Sequence, residues 1–166
     1  MARLYLAGGF FNACERLHFL FLEKHLKLLG HEVILPQREE RRHIDEENFN
    51  LEAIVNDCRR DVLDPLNLVI ANSDYAVGNN GSEIKLDLAF TAKGAAITYR
   101  TDIRTDSARE LRERRIPREK RECFLHQPAD FTEMRDVDEY YERLAFHISE
   151  FIDLVLRNSV GDSTKH

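Results

Sequence analysis

The chain has 166 residues, 43% of them hydrophobic and 33% charged, with a formal net charge of −6. That length suits one domain able to bury roughly 70% of its unfolded surface. The acidic balance argues against a nucleic-acid polymer or an anionic membrane as partner, because both need a net basic surface. No apolar run approaches the ~20 residues of a membrane span, and the start of the chain runs into a strand without a charged and then apolar leader. Cys14, Cys58 and Cys123 are far apart and form no CxxC pair, which fits reduced thiols in the cytoplasm.

In chain order, Arg3 to Ala7 reads as a short apolar strand that ends in Gly8 and Gly9. These glycines are expected to let the backbone turn sharply and approach a ligand. A helix follows from about Asn12 to Leu29. Its expected apolar face is Phe10, Ala13, Leu17, Leu20, Phe21 and Leu28, and its wet side includes Glu15, Arg16, Glu23, Lys24 and Lys27. Gly30 is placed to end it. Glu32 to Leu35 is a second strand stopped by Pro36, and residues 37–50 read as a long polar loop that includes His43. Leu51 to Val62 repeats apolar residues at helical spacing, with Leu51, Ile54, Val55, Cys58 and Val62 on one face.

Leu66 to Ala71 reads as a buried central strand. A loop of Gly78, Asn79, Asn80 and Gly81 follows, then a helix from Ser82 and a further strand from Ala95 to Tyr99. The highly charged stretch after Arg104 reads as solvated, Glu122 to Leu125 as a last short strand, and Tyr141 to Val155 as an amphipathic helix. Residues 1–158 are thus expected to form a single domain, with 159–166 a frayed tail. Five strands alternating with helices predict a three-layer α/β/α sandwich with a five-stranded, mostly parallel sheet and flavodoxin-like strand order.

In such folds ligands collect beyond the carboxyl ends of the strands, which directs attention to Asp61, Asp74, Glu83 and Asp87. Asp74 follows a buried strand, where it could serve chemistry or simply bond local backbone N–H groups. Ser82 could cap the helix that follows, which would put Glu83 in its first turn, near the positive dipole end. That position suits helix stabilisation as well as catalysis. The histidines and cysteines have no metal-ligand spacing, and neither a Walker loop nor GxGxxG is present.

Five segments taken together resemble the nucleoside 2-deoxyribosyltransferase family: Tyr5 to Asn12, Leu35 to Arg38, Val69 to Asp74, Gly81-Ser82, and Tyr99 to Arg104. The resemblance implies exchange of the base on a 2′-deoxynucleoside through a glutamyl-deoxyribosyl intermediate, with no metal or organic cofactor. Its partners would be a nucleoside and a free nucleobase, and the protein a homo-oligomer with sites shared between subunits. Tyr5 would orient the nucleophile. Gln37 and Asp61 would contribute to base and sugar binding, and Gly8, Gly9, Phe11, Asp74, Asn79, Gly81 and Lys85 would line the substrate site.

The chain departs from the family at the centre of the chemistry. Aligned without a gap, the family's catalytic glutamate falls on Lys85 and its base-handling aspartate on Asn79. With a two-residue shift the nucleophile is Glu83, with Asp87 the second candidate on the same helical face. In the ungapped register the site is a silent nucleoside or nucleotide binder. A third reading, hydrolysis of a deoxynucleoside 5′-monophosphate, is disfavoured because Gly9-Phe10-Phe11 is apolar where that branch holds phosphate with small polar residues.

Overall fold

The computed structural model describes residues 1–10, 12–39, 44–45, 48–74, 96–103 and 124–161. Its elements are β1 (Arg3–Ala7), α1 (Ala13–Leu28), β2 (Glu32–Ile34), α2 (Pro36–Glu39), β3 (Ile44–Asp45), β4 (Asn48–Phe49), α3 (Leu51–Leu63), β5 (Asn67–Asn72), β6 (Ile97–Arg100), β7 (Phe124–His126) and α4 (Met134–Gly161). Five strands form one sheet in the order β2-β1-β5-β6-β7, and every pairing in it is parallel. This is the flavodoxin-like order, and the direction of winding reverses between β1 and β5.

Alternation along the strands sorts the core into two faces. Leu4, Leu6, Ile70, Ile97 and Tyr99 point to one side and pack with Phe19, Leu22 and Leu26 of α1 and with Tyr140, Leu144, Ile148 and Ile152 of α4. Tyr5, Ala7, Val69 and Ala71 point to the other and pack with Val62 of α3. Register fixes which residues stand together at the carboxyl edge: Ala7 pairs with Ala71, and Asn72 with Tyr99.

The α1 helix begins as its sequence suggests. Asn12 accepts from the Glu15 backbone N–H, and the Glu15 side chain accepts from that of Asn12, a complete capping box. Gly30, at φ +85°, follows the last turn. The buried face matches the expected one only in part: Phe10 is buried and Phe21 packs on the core, but the rest of the face turns elsewhere. Phe19, Leu22 and Leu26 are in the core, while Ala13, Leu17, Leu20 and Leu28 are exposed. Apolar residues occur all round this helix, so spacing alone does not select a face.

Glu23, expected on the wet side, is only 3% exposed. Its carboxylate receives bonds from Arg38 Nε at 3.2 Å, Arg38 Nη2 at 2.7 Å and Lys27 Nζ at 2.7 Å. Burial pushes its pKa up, but the bonds from Arg38 and Lys27 and their charges together hold it below the usual range. The segment expected as a loop, residues 37–50, and the face of α3 also differ from expectation. The loop region contains α2, which starts at Pro36 as a helix first turn allows, and a two-stranded antiparallel ladder of β3 with β4. On α3, Val62 is buried but Val55 is exposed.

Candidate functional site

The ends of β1, β5 and β6 enclose a cavity of about 100 Å³ at the point where the winding reverses. Its wall comes from Gly9, Glu15, His18 and Phe19 on one side and from Asn72, Asp74 and Thr101 on the other, with Cys14 also contributing. Cys14 is exposed and Cys58 half-buried, both as free thiols. The two glycines earn their place by close approach, not by turning: Gly30 is the glycine of positive φ among the described residues. A Cβ on Gly8 would lie 2.3 Å from the Phe19 Cζ and 3.4 Å from the Asn72 Cβ, and one on Gly9 2.9 Å from the Glu15 Cδ. The groups that come so close belong to the protein itself.

Asp74 joins the ends of the neighbouring strands β5 and β6. Its Oδ1 accepts from the backbone N–H of Thr101 at 2.7 Å and of Asp102 at 2.9 Å. Its Oδ2 accepts from the Thr101 hydroxyl at 2.5 Å and from Asn72 Nδ2 at 2.9 Å. The Asp74 N–H in turn donates to Asn72 Oδ1 at 2.9 Å. Ser73 adds a second tie, donating to the Tyr99 carbonyl through its N–H at 2.9 Å and its hydroxyl at 3.1 Å. The carboxylate therefore organises both loops that frame the cavity.

Of the lining residues that sequence reasoning did not assign to a site, which include Glu15, Phe19, Asn72 and Thr101, His18 has the most specific environment. One ring nitrogen, Nε2, lies 2.7 Å from the Tyr99 hydroxyl, and the other, Nδ1, 2.8 Å from the Tyr141 hydroxyl. Burial lowers its pKa to about 4, against the opposing pull of the Asp74 carboxylate, so the ring is neutral at physiological pH. Burial also raises both tyrosine pKa values, so the two phenols stay protonated. No local motif announces this cluster, because its members lie 81 and 123 residues from His18.

Arg100 is the other buried polar group near this edge, 2% exposed on the opposite face of β6 from Tyr99. Its Nη2 lies 3.1 Å from Asp102 Oδ2, an ion pair whose geometry is not that of a hydrogen bond. The charge of Arg100 is thus balanced by the same residue whose N–H binds Asp74.

Of the residues singled out from the sequence, Gly9 and Asp74 line the cavity and Gly8 lies beneath it on Phe19. Tyr5 sits in mid-strand on the α3 face, paired with Val69. Gln37 is buried in α2, where its Nε2 donates to the Arg16 carbonyl at 3.2 Å. Asp61 is not brought to the cavity. Its carbonyl accepts from Asn67 Nδ2 at 2.7 Å, and Asn67 opens β5 at the amino end of the sheet, so the last turn of α3 lies opposite the crevice. Phe11, Asn79, Gly81, Glu83, Lys85 and Asp87 lie outside the described residues. Among the described residues no His, Cys, Asp and Glu cluster is arranged to hold a metal ion, and no helix is long and apolar enough to cross a membrane.

No protein-family model matches the chain, and no curated protein sequence matches it. Solved structures do. A 2-deoxyribosyltransferase from the psychrotolerant bacterium Bacillus psychrosaccharolyticus superposes with a TM-score of 0.52 at 20% identity, covering 84% of this chain and 92% of that one. A conserved protein from Enterococcus faecalis V583 superposes with a TM-score of 0.53 at 16% identity, covering 86% of this chain and 98% of that one. At these identities the likeness is one of fold: the chain has the three-layer α/β/α architecture of a 2-deoxyribosyltransferase over most of its length.

Proposed function

We propose that the protein is an enzyme acting on the N-glycosidic bond of 2′-deoxynucleosides, moving 2-deoxyribose from one nucleobase to another. The observation that carries this reading is convergence. Gly8-Gly9, Asn72 to Asp74 and Tyr99 to Asp102 come from three of the five segments that resemble the nucleoside 2-deoxyribosyltransferases. They meet at the switch point of a fold shared with a 2-deoxyribosyltransferase. The site residues themselves are assigned from the sequence resemblance.

On this reading the Glu83 carboxylate attacks the anomeric carbon as the carbon–nitrogen bond breaks. The bonding pair leaves with the base, which takes up a proton. A nitrogen of the second base then attacks the same carbon, loses its proton and frees Glu83. Tyr5 orients the nucleophile, and Asp87 is the second candidate for its role. His18 is no candidate for the acid, since both of its nitrogens are bonded to tyrosines and its pKa is about 4.

Lys85 favours a second reading. A lysine at the family's glutamate position cannot form the glycosyl ester, and in that register the protein binds a nucleoside or nucleotide without turning it over. Incubation with deoxyinosine and with thymidine, each with and without adenine, separates the outcomes by chromatography. A new deoxynucleoside means transfer, and free base without acceptor means hydrolysis. Silence across a donor panel, with calorimetric binding, means a binding protein. Glu83→Ala should abolish turnover and Lys85→Ala leave most of it; an active Glu83→Ala enzyme overturns the assignment.

The proposal includes a cytoplasmic homo-oligomer. Leu17, Leu20 and Leu28 on α1 and Phe146, Leu154 and Leu156 on α4 are exposed large apolar residues that a second copy could cover. Sedimentation as a monomer of about 19 kDa at micromolar concentration would count against it.

A further inference from the structure

We propose that His18, as a neutral imidazole protonated at Nδ1, is a positioning residue of the crevice, tying α4 and β6 to the Asn72–Asp74 clamp. The inference concerns the site of the proposed function, but its structural content stands without the transfer chemistry.

The tautomer follows from Asn72. Asp74 binds both ends of this amide, with its N–H on Asn72 Oδ1 and its Oδ2 on Asn72 Nδ2, each at 2.9 Å. A flipped amide would set donor against donor and acceptor against acceptor. The atom 3.5 Å from His18 Nε2 is therefore the Asn72 nitrogen, a donor whose second hydrogen serves that side. A hydrogen on Nε2 would leave that amide hydrogen no acceptor on the ring, so Nε2 carries a lone pair and accepts from the Tyr99 hydroxyl at 2.7 Å. Nδ1 then holds the hydrogen and donates to the Tyr141 oxygen at 2.8 Å.

Such a ring has no nitrogen left for a substrate. What it can do is fix position. Tyr141 belongs to α4, Tyr99 to β6 and Asn72 to β5, and Asn72 hands the constraint to Asp74. The oxygens of Asp74 receive the N–H groups of Thr101 and Asp102 at the cavity wall. The ring also packs on Phe19, with centroids 5.0 Å apart. A purely space-filling role is thus the competing explanation, and phenylalanine would nearly satisfy it.

Two measurements decide between them. In ¹⁵N-histidine-labelled protein, His18 should show an unprotonated Nε2 and a protonated Nδ1, with no titration between pH 8 and 5. The Nε2–H tautomer, or titration near the ordinary histidine value, overturns the proposal. In His18→Phe, the Thr101 and Asp102 amides should lose protection against hydrogen exchange by about tenfold more than the amides of β1. A uniform loss, or none, indicates mere packing and overturns it. If that variant does not fold, Tyr141→Phe keeps the ring, removes the Nδ1–H acceptor and should show the same local loss, with an unchanged pattern counting against the proposal. Where the wild type transfers deoxyribose, His18→Phe should raise KM roughly tenfold with little change in kcat; an unchanged KM overturns the crevice role. If the wild type turns over no donor, the function proposed above fails, and the tautomer and exchange measurements still decide the role of His18.

Discussion

Thr101 binds both oxygens of Asp74, its N–H reaching Oδ1 at 2.7 Å and its hydroxyl Oδ2 at 2.5 Å. One carboxylate thus holds the first residue beyond β6 to the loop beyond β5. Either amide orientation of Asp74→Asn would turn one set of these contacts into donor against donor. We expect Asp74→Asn to lower unfolding free energy by about 2–4 kcal/mol, and Thr101→Val by about 1–2 kcal/mol, because the Val variant keeps the backbone bond. Urea titration measures both, and a cost under about 1 kcal/mol for Asp74→Asn would refute the clamp.

Gly8 and Phe19 make a second pair whose cost can be isolated. A Cβ at 2.3 Å from the Phe19 ring must displace a side chain that is 2% exposed. Gly8→Ala should therefore cost about 1–3 kcal/mol. Gly9→Ala should cost less, since its obstacle is the end of the Glu15 side chain, which can swing away. In the background of Phe19→Leu the penalty at Gly8 should shrink by about 1 kcal/mol or more. An unchanged penalty in that double-mutant cycle would mean that the glycine is needed for some reason other than the ring.

Where local signals and global packing agree, the sequence is legible. The strands of the sheet follow from short apolar runs, their parallel order from alternation with helices, and the span of α1 from apolar residues at helical spacing that end at Gly30. The face of α1 was legible only at Phe10 and Phe21, because Leu17, Leu20 and Leu28 satisfy helical spacing as well as Phe19, Leu22 and Leu26 do. What selects the latter is contact with β1 and α4, which spacing does not encode. The long polar segment after β2 hid α2 because its Arg38 is anchored to Glu23, on another element. The cavity itself was half legible. Gly9 and Asp74 stood out as a strand-end glycine and aspartate. His18 did not, since its partners are side chains on β6 and α4.

Glu23 tests how a buried carboxylate with half-exposed cations behaves. Arg38→Ala leaves the carboxylate buried beside Lys27 alone, whereas Glu23→Gln removes the buried charge and leaves two cations that water can solvate. The arginine deletion should be the more costly, at about 1–3 kcal/mol, with Glu23→Gln at about 1–2 kcal/mol. Denaturant unfolding of the two variants gives the ranking, and the reverse order would show that the salt bridge, rather than the orphaned carboxylate, dominates.

The fold should weaken on mild acidification, with histidines as the cause. His18 has a folded pKa of about 4, and His31 is also lowered, first by burial and then by the nearby N-terminal amine, against the pull of Asp153. The geometry at His31 agrees: its Nδ1 accepts from the Ala2 N–H at 3.3 Å while Nε2 meets the Ser149 hydroxyl at 2.9 Å. Below an unfolded pKa of about 6.5 the unfolded chain binds protons at these sites and the folded chain does not, so stability must fall as pH falls. The window runs from about 6.5 down to about 4 for His18, with each such histidine contributing at most about 1.4 kcal/mol per pH unit. Glu23 acts in the same direction but later. Its folded pKa is depressed, so its contribution is complete above the usual carboxylate range and is lost only as pH falls through the folded value. Thermal unfolding should therefore show Tm declining between pH 7 and 5, before carboxylates titrate. His31→Gln should flatten part of that decline, and His18→Gln a larger part. A Tm that stays level from pH 7 to 5, or a slope that neither substitution changes, would remove the histidines from the explanation.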